Sequence, residues 1–224
     1  GQLLSRIQQQ MAEIYQKGVD IKQAELMMLQ AQINPHFLYN TLDSISWAAL
    51  DLGDSNIPRV ISSLSKLLRY SIKEPDRLVM LSDELDIVRS YIDIQQFCYS
   101  LDIEIVWQGK QIEPTNYLPK LTLQPLFENA ILHGILEQGK TGGKLLVRTE
   151  SDESCFTFEV LNEGQGDVEA MRQILELGED VGKNGIRNVN TRLKMLFGNS
   201  SGLSFQNTAD GYFAARVTIM NEKG

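Results

Sequence analysis

Residues 29–45 read LQAQINPHFLYNTLDSI and combine a helical period with a proline in the middle of the pattern. Pro35 lacks a backbone N–H and disfavours the helical region for Asn34, so we predict a helix that kinks or restarts just before His36. A histidine at such a point is either an ordinary surface residue or an accessible, reactive imidazole. Apolar side chains recur on one face of this helix at Leu26, Leu29, Ile33, Phe37, Leu42, Ile45 and Ala49.

The N-terminal third of the chain predicts two long amphipathic helices. Apolar residues within residues 2–32 alternate in steps of four and three, which is typical of either a coiled-coil seam or a surface helix of a bundle. This helix should run to about Leu50, and the turn-rich residues 51–56 separate it from a second helix that starts near Pro58. We therefore predict a helical hairpin over residues 1–80, which pairs with a second copy to form a dimeric four-helix bundle.

From residue 81 onward, helical and strand patterns alternate. Apolar and polar residues alternate as in strands over residues 101–107, 144–149, 155–161, 203–207 and 212–220. Helices are predicted from an N-cap at Ser82, and over residues 121–136, 168–177 and 186–197. Asp210 and Gly211 indicate a hairpin between the last two strands. Residues 81–224 are thus predicted to form a second domain of the α+β class, with an antiparallel or mixed sheet and helices on one face.

The composition excludes several classes of protein. A hydrophobic content of 42% over 224 residues is that of one large or two small soluble domains. The net charge of −8 argues against a nucleic-acid binder, which needs clustered Lys and Arg. Cys98 and Cys155 are too isolated for a disulfide framework or a zinc site, which favours a reducing, cytoplasmic setting. Gly1 starts inside a helical pattern without methionine, so we expect a piece of a longer protein whose N-terminal membrane anchor has been removed.

Three further stretches place polar residues and glycines where phosphate chemistry uses them. Residues 123–134, LQPLFENAILHG, put Asn129 and His133 one helical turn apart. An amide oxygen can ligate Mg²⁺, and an imidazole can donate to a phosphate, although Asn129 alone is more often an ordinary polar residue of a helix. Residues 161–166, LNEGQG, follow a strand, and residues 182–193, GKNGIRNVNTRL, open a helix whose free N–H groups suit phosphates.

Taken together, the four stretches resemble the catalytic part of sensor histidine kinases of the LytS/YesM type. NPHFLYNTLDSI resembles the phospho-acceptor segment of that family, and LQPLFENAILHG resembles the N-box of its ATP-binding domain, an α/β sandwich shared with gyrase. LNEGQG resembles the DxGxG box that recognises adenine, and GKNGIRNVNTRL resembles the glycine box after a flexible lid, here about residues 163–184. The resemblance covers about residues 25–220, in the order that the family shows.

This resemblance implies a function and a set of site residues. His36 would take the phosphoryl group of Mg·ATP and pass it to an aspartate of a response regulator. Asn40, four residues on, would orient a water that dephosphorylates the regulator. Either Glu128 or Asp43 would assist proton removal from His36, and the sequence does not rank them. ATP and Mg²⁺ would be held by Asn129 as metal ligand, with His133, Asn162, Gly164, Gly166, Gly182 and Gly185 around the nucleotide.

The resemblance also implies a homodimer and a cytoplasmic position in a bacterial membrane sensor. Three departures from the family pattern matter: Asn162 replaces the acid of the adenine box, Leu132 replaces a basic residue, and Phe37 stands where other histidine kinases carry an acid after the histidine. An amide presents donors as well as an acceptor, so Asn162 predicts a weak or tolerant adenine site. Two alternatives stay open. One is a signalling scaffold with a degenerate ATP site, and the other is an ATP-driven clamp of the gyrase kind. The segment NPHFLYN argues against the clamp, because that class has no use for a phospho-acceptor hairpin.

Overall fold

The computed structural model of the protein describes four segments of the chain, residues 35–72, 77–109, 117–177 and 184–220. The chain divides into two compact units, Gly1–Ile61 and Ser62–Gly224. The coiled-coil pattern predicted for residues 2–32 lies outside the described residues. Within the four segments, no helix has both the length and the apolar character needed to span a lipid bilayer.

Two helices follow each other at the start of the described chain. Helix α1 covers Pro35–Asp51, and helix α2 covers Asn56–Ile72. The carboxylate of Asp54 accepts hydrogen bonds from the backbone N–H groups of Asn56 (2.7 Å) and Ile57 (3.1 Å). Because these N–H groups have no partner within the helix, Asp54 is the residue that caps α2, and the helix starts two residues before Pro58.

The second unit contains a small sheet that the sequence patterns did not predict. Strands β1 (Leu78–Met80) and β3 (Tyr117–Pro119) pair in antiparallel fashion. Strand β1 continues directly into helix α3 (Leu81–Tyr99), whose N-cap residue is Met80 and has no side-chain cap. The predicted N-cap role of Ser82 is therefore wrong, because Ser82 already lies inside the first turn of the helix.

A five-stranded mixed sheet forms the centre of this unit. Its strand order is β2-β4-β5-β7-β6; β2 and β4 are parallel, and the other neighbours are antiparallel. The strands are β2 (Asp102–Gly109), β4 (Gly142–Ser151), β5 (Cys155–Glu163), β6 (Gly202–Asn207) and β7 (Tyr212–Met220). The helices are α4 (Gln124–Ile131), a π-helix (Leu132–Leu136), α5 (Val168–Leu177) and α6 (Asn184–Phe197). The sheet and its helices confirm the predicted α+β class.

The helix predicted over residues 121–136 is shorter and less regular than expected. It starts at Gln124, because Leu121 has a backbone φ of 58°, which is not compatible with a right-handed helix. Its last five residues, Leu132–Leu136, form the π-helix. A single turn of π-helix inside a longer helix is frequently found at functional sites.

The main core lies between helices α3, α4, α5 and α6 and one face of the sheet. Alternate residues of β5 show this most clearly, since Phe156, Phe158 and Val160 belong to the main core while Leu161 packs on the opposite face with Ala214. Fully burying one such side chain contributes about 1.5–3 kcal/mol. Because side chains alternate along a strand, Asn162 points to the same face as Phe158, towards the helices.

Candidate functional site

Asn129 is a polar residue in an otherwise apolar part of α4. Only 5% of its surface is exposed, and its neighbours Phe127, Ala130 and Ile131 are all buried. Among the residues that the structure describes, no hydrogen-bond partner of its side-chain amide is present. Asn129 is not among the side chains with a fully enclosed, unpartnered polar atom in the part of the chain that the structure describes, so its amide can still pair with water or with a ligand.

Asn162 is a second buried amide, and it packs against the π-helix. It is 5% exposed, and its Nδ2 donates a hydrogen bond to the backbone oxygen of Glu163 at 3.2 Å. A Cβ on Gly134 would lie 2.5 Å from Nδ2, 2.6 Å from Cγ and 2.7 Å from Cβ of Asn162. Gly134 is therefore the residue that leaves room for this side chain. In this orientation Oδ1 is the atom that Asn162 can offer to a donor group of a ligand.

The loop after β5 needs a glycine at its first position. Gly164 has a φ of 109°, which L-residues rarely adopt, and its N–H donates to the carbonyl oxygen of Gly211 at 2.9 Å. A Cβ at this position would also lie 2.9 Å from Nε2 of Gln138, which is the second residue after the π-helix. The loop thus passes close to the C-terminal end of the π-helix.

The same loop is fixed at Gly166 by a residue that the sequence did not single out. The N–H of Gly166 donates to Oδ1 of Asn207 at 2.9 Å, and Nδ2 of Asn207 donates to the carbonyl oxygen of Gly166 at 3.0 Å. A Cβ on Gly166 would lie 2.5 Å from the ring of Phe213. That ring in turn stacks on Phe205 with centroids 5.9 Å apart. Asn207 is a positioning residue that no local sequence pattern reveals.

His133 lies in the π-helix and is already paired. Its Nδ1 lies 2.5 Å from Oε2 of Glu137, and the two side chains are 34% and 57% exposed. An exposed pair of this kind contributes little to stability, about 0–1 kcal/mol. Its effect is to fix the orientation of the imidazole, which leaves Nε2 as the nitrogen that can contact a ligand.

The remaining predicted site residues fall in three places. Glu128 is exposed on α4, and the pKa of the nearby Tyr91 phenol is raised by burial and, to a smaller extent, by the Glu128 carboxylate. Gly185 is the second residue of α6 and faces Pro125 of α4, where an added Cβ would have room at 3.6 Å, while Gly182 lies outside the described residues. Asn40 is exposed on α1.

The structure brings five predicted residues together around α4 and the π-helix. Asn162 contacts the π-helix at Gly134, and Gly164 contacts its end at Gln138. Asn129 and His133 lie on these helical segments themselves, and Gly166 follows two residues after Gly164. His36 and Asn40 lie on α1, in the other unit of the chain.

This region fits a nucleotide with a hard metal ion. The amide oxygens of Asn129 and Asn162 are buried acceptors, and the former is of the type that Mg²⁺ accepts. In the four described segments, no group of three or more His, Cys, Asp and Glu side chains could hold a metal. A divalent ion here would therefore take most of its ligands from phosphates and water, as Mg²⁺ commonly does.

Comparison with known proteins agrees with this geometry. The family model for histidine kinases matches residues 24–103. The chain is 37% identical to the sensor histidine kinase YesM of Bacillus subtilis over 201 residues, which is 90% of this chain and 34% of YesM. It is 32% identical to YwpD of Bacillus subtilis over 199 residues, covering 87% of this chain and 69% of YwpD. The chain belongs to the LytS/YesM type of sensor histidine kinases.

A further relative of this chain is the sensor protein LytS of Oceanobacillus iheyensis, 34% identical over 203 residues. That match covers 85% of this chain and 34% of the relative, so the chain spans about a third of the length of YesM and LytS. The family resemblance derived from the four sequence stretches is therefore confirmed. The family model includes His36 and Asn40, and the match to YesM extends over most of the chain.

Proposed function

We propose that this chain is the catalytic part of a sensor kinase, which phosphorylates its own His36 from Mg·ATP and passes the phosphoryl group to an aspartate of a response regulator. The observation that carries this proposal is the pair of buried amides, Asn129 and Asn162, next to the π-helix in a chain of the histidine kinase family. The two amides offer acceptors where the family's nucleotide site is expected.

The nucleotide would be held by residues of the second unit. Asn129 would ligate Mg²⁺, which when bound neutralises phosphate charge. Because Nδ1 of His133 donates to the Glu137 carboxylate, Nε2 would donate to a phosphate oxygen with the ring in its doubly protonated form. Asn162 would accept a hydrogen bond from the adenine amino group through Oδ1. Gly164 and Gly166 keep the adenine loop close to the π-helix. Gly182 and Gly185 would bring backbone N–H groups at the start of α6 near the phosphates.

His36 would be the nucleophile of the reaction. One imidazole nitrogen attacks the γ-phosphorus, the N–P bond forms as the bond to the bridging oxygen breaks, and ADP leaves. The attacking nitrogen is the one that carries no proton, and the proton on the other ring nitrogen passes to a base, for which Glu128 and Asp43 are the two candidates. The enzyme then contributes mainly positioning and charge neutralisation, as in other phosphoryl transfers.

We further propose that residues 1–80 dimerise and carry the acceptor, while residues 81–224 bind ATP. Exposed apolar side chains on α1 and in the turn after it support the dimer: Ile45 is 49% exposed, Trp47 69%, Leu50 48% and Leu52 87%. Burying these side chains against a second chain would remove their apolar surface from water, which favours association. Asn40 would serve the reverse reaction on the regulator. The chain would be the cytoplasmic portion of a bacterial membrane sensor, with the signal arriving through its N-terminal helix.

The test is incubation of the chain with γ-labelled ATP and Mg²⁺, followed by mapping of an acid-labile label. We expect label on the parent protein and none on His36→Gln, with nucleotide binding unchanged in that variant. The matched control is His133→Gln, which keeps the acceptor and should label more slowly because nucleotide handling is weakened. Label on His36→Gln would disprove the acceptor assignment. Absence of nucleotide binding in the parent would instead support the signalling scaffold.

A further inference from the structure

Glu84 is a buried carboxylate that the proposed reaction does not use. It lies in α3 and is 1% exposed. Its Oε1 accepts hydrogen bonds from the Tyr70 hydroxyl (2.6 Å) and from the N–H of Leu121 (2.7 Å), and its Oε2 accepts from the N–H of Leu123 (2.9 Å). A carboxylate so far from water is tolerated only with such partners, so these three contacts define its position.

Two of the three contacts reach the start of α4. Leu123 is the N-cap residue of that helix and has no side-chain cap of its own. Glu84 supplies the negative charge that a helix N-terminus favours, from a different helix. Leu121 has a φ of 58°, which costs a non-glycine residue free energy and persists only where the surroundings enforce it. Glu84 is therefore the group that fixes both the strained residue Leu121 and the N-cap residue Leu123 of α4.

The third contact reaches the last turns of α2. Glu84 binds the Tyr70 hydroxyl there, and Lys120 contacts the backbone oxygen and the ring of Tyr70. The ammonium of Lys120, a residue only 5% exposed, donates to the backbone oxygen of Tyr70 at 2.5 Å and lies 4.4 Å from the ring centroid. Burial, followed by the Glu84 charge, raises the pKa of the Tyr70 phenol, so the phenol remains a donor.

We propose that Glu84 and Tyr70 are positioning residues that set the start of α4, and with it Asn129, according to the position of the last turns of α2. The effect on the reaction rests on the proposed function of Asn129. A hydrogen bond weakens steeply once its atoms separate beyond about 3.2 Å. A displacement of Tyr70 by about one ångström would thus free one side of Glu84 and loosen the residues that precede α4.

Tyr70→Phe tests this coupling of α2 to α4 through Tyr70 and Glu84, because it removes the hydroxyl and keeps the ring under Lys120. Tyr117→Phe is the matched control, since it deletes the same atom from an exposed side chain four residues before Leu121. In Tyr70→Phe, amide hydrogen exchange should rise at Leu121 and Leu123 and through α4. Affinity for Mg·ATP should fall about tenfold, while affinity for ATP in EDTA should change less than about twofold. Tyr117→Phe should change neither.

A second variant, Glu84→Gln, keeps the shape of the side chain and removes its charge. It should raise exchange at Leu121 and Leu123 at least as much as Tyr70→Phe, since it weakens both contacts directly. Unchanged hydrogen exchange at these two amides in Tyr70→Phe would refute the proposed coupling. An equal loss of affinity for ATP with and without Mg²⁺ would refute it as well. A parent protein that binds no nucleotide refutes the proposed function instead. The exchange measurement then still tests whether Tyr70 and Glu84 fix the start of α4.

Discussion

Replacing Gly134 by alanine tests whether Asn162 reads the nucleotide base. The added Cβ would lie 2.5 Å from Nδ2 of Asn162, whereas ordinary contact begins at 3.4 Å. The side chain of Asn162 must therefore retreat by at least 0.9 Å, or the π-helix must move by the same amount. Either change disturbs the hydrogen bond of 3.2 Å from Nδ2 to the backbone oxygen of Glu163.

The size of the effect of Gly134→Ala follows from two contributions. Overpacking a tight interior costs about 1–3 kcal/mol, and a weakened neutral hydrogen bond costs about 0.5–1.5 kcal/mol. We expect a loss of about 2 kcal/mol in the free energy of unfolding, or about 4–8 °C in Tm for a chain of this size. Because Asn162 can no longer hold its orientation, the affinity for ATP should fall about tenfold or more. The affinities of the variant for ATP and for GTP should then be similar.

The assay is calorimetric titration of ATP and GTP, with Mg²⁺, on the parent and on Gly134→Ala. Gly143→Ala is the control, because its Cβ would meet the side chain of Ile135 at 3.4 and 3.5 Å, which the structure can accommodate. That variant should bind both nucleotides as the parent does. If Gly134→Ala keeps the affinity for ATP and the preference over GTP, then Asn162 does not contact the base and the assignment is wrong.

Three other predictions concern the remaining site residues and the assembly. Asn162→Asp should widen the preference for ATP over GTP, because a carboxylate offers only acceptors, and titration of both nucleotides checks this. The same variant should have a lower Tm in melting curves, because a carboxylate cannot donate to the Glu163 oxygen. Asn40→Ala should keep labelling of His36 and lose dephosphorylation of a phosphorylated regulator, so equal dephosphorylation rates would remove that role. The chain should have the mass of a dimer by light scattering at micromolar concentration, and a monomer would refute the exposed α1 patch as an interface.

Elements with a strong local pattern were predictable from the sequence. Strand β7 (Tyr212–Met220) and helix α5 (Val168–Leu177) occur with the predicted bounds. Each has a clear period of two or of 3.6 and is bounded by turn residues, so local preference and burial agree. The class of the fold follows from such elements, because the mixed order of strands and helices leaves few ways to bury the apolar faces.

Features that depend on distant residues were not predictable. The start of α4 depends on Glu84, which lies 37 residues before Leu121 in the chain. The fixation of Gly166 depends on Asn207, 41 residues away. The space for Asn162 depends on Gly134, which the sequence presents only as the last letter of a motif. Periodicity and motif spacing describe neighbours along the chain, so contacts of this kind appear only when the fold is known.

The order of the strands has a consequence for how the sheet assembles. Strands β4 and β5 are joined by a tight turn at residues 152–154, where Asp152 accepts hydrogen bonds from the N–H groups of Ser154 and Cys155. Strand β2 pairs with β4 only after the chain has returned from Gly109 to Gly142. This connection is about tenfold longer than the turn, which adds ~2 kcal/mol of loop-closure entropy. The parallel edge strand should thus join the sheet after the β4–β5 hairpin and leave it first, so native-state hydrogen exchange should show β2 opening before β5.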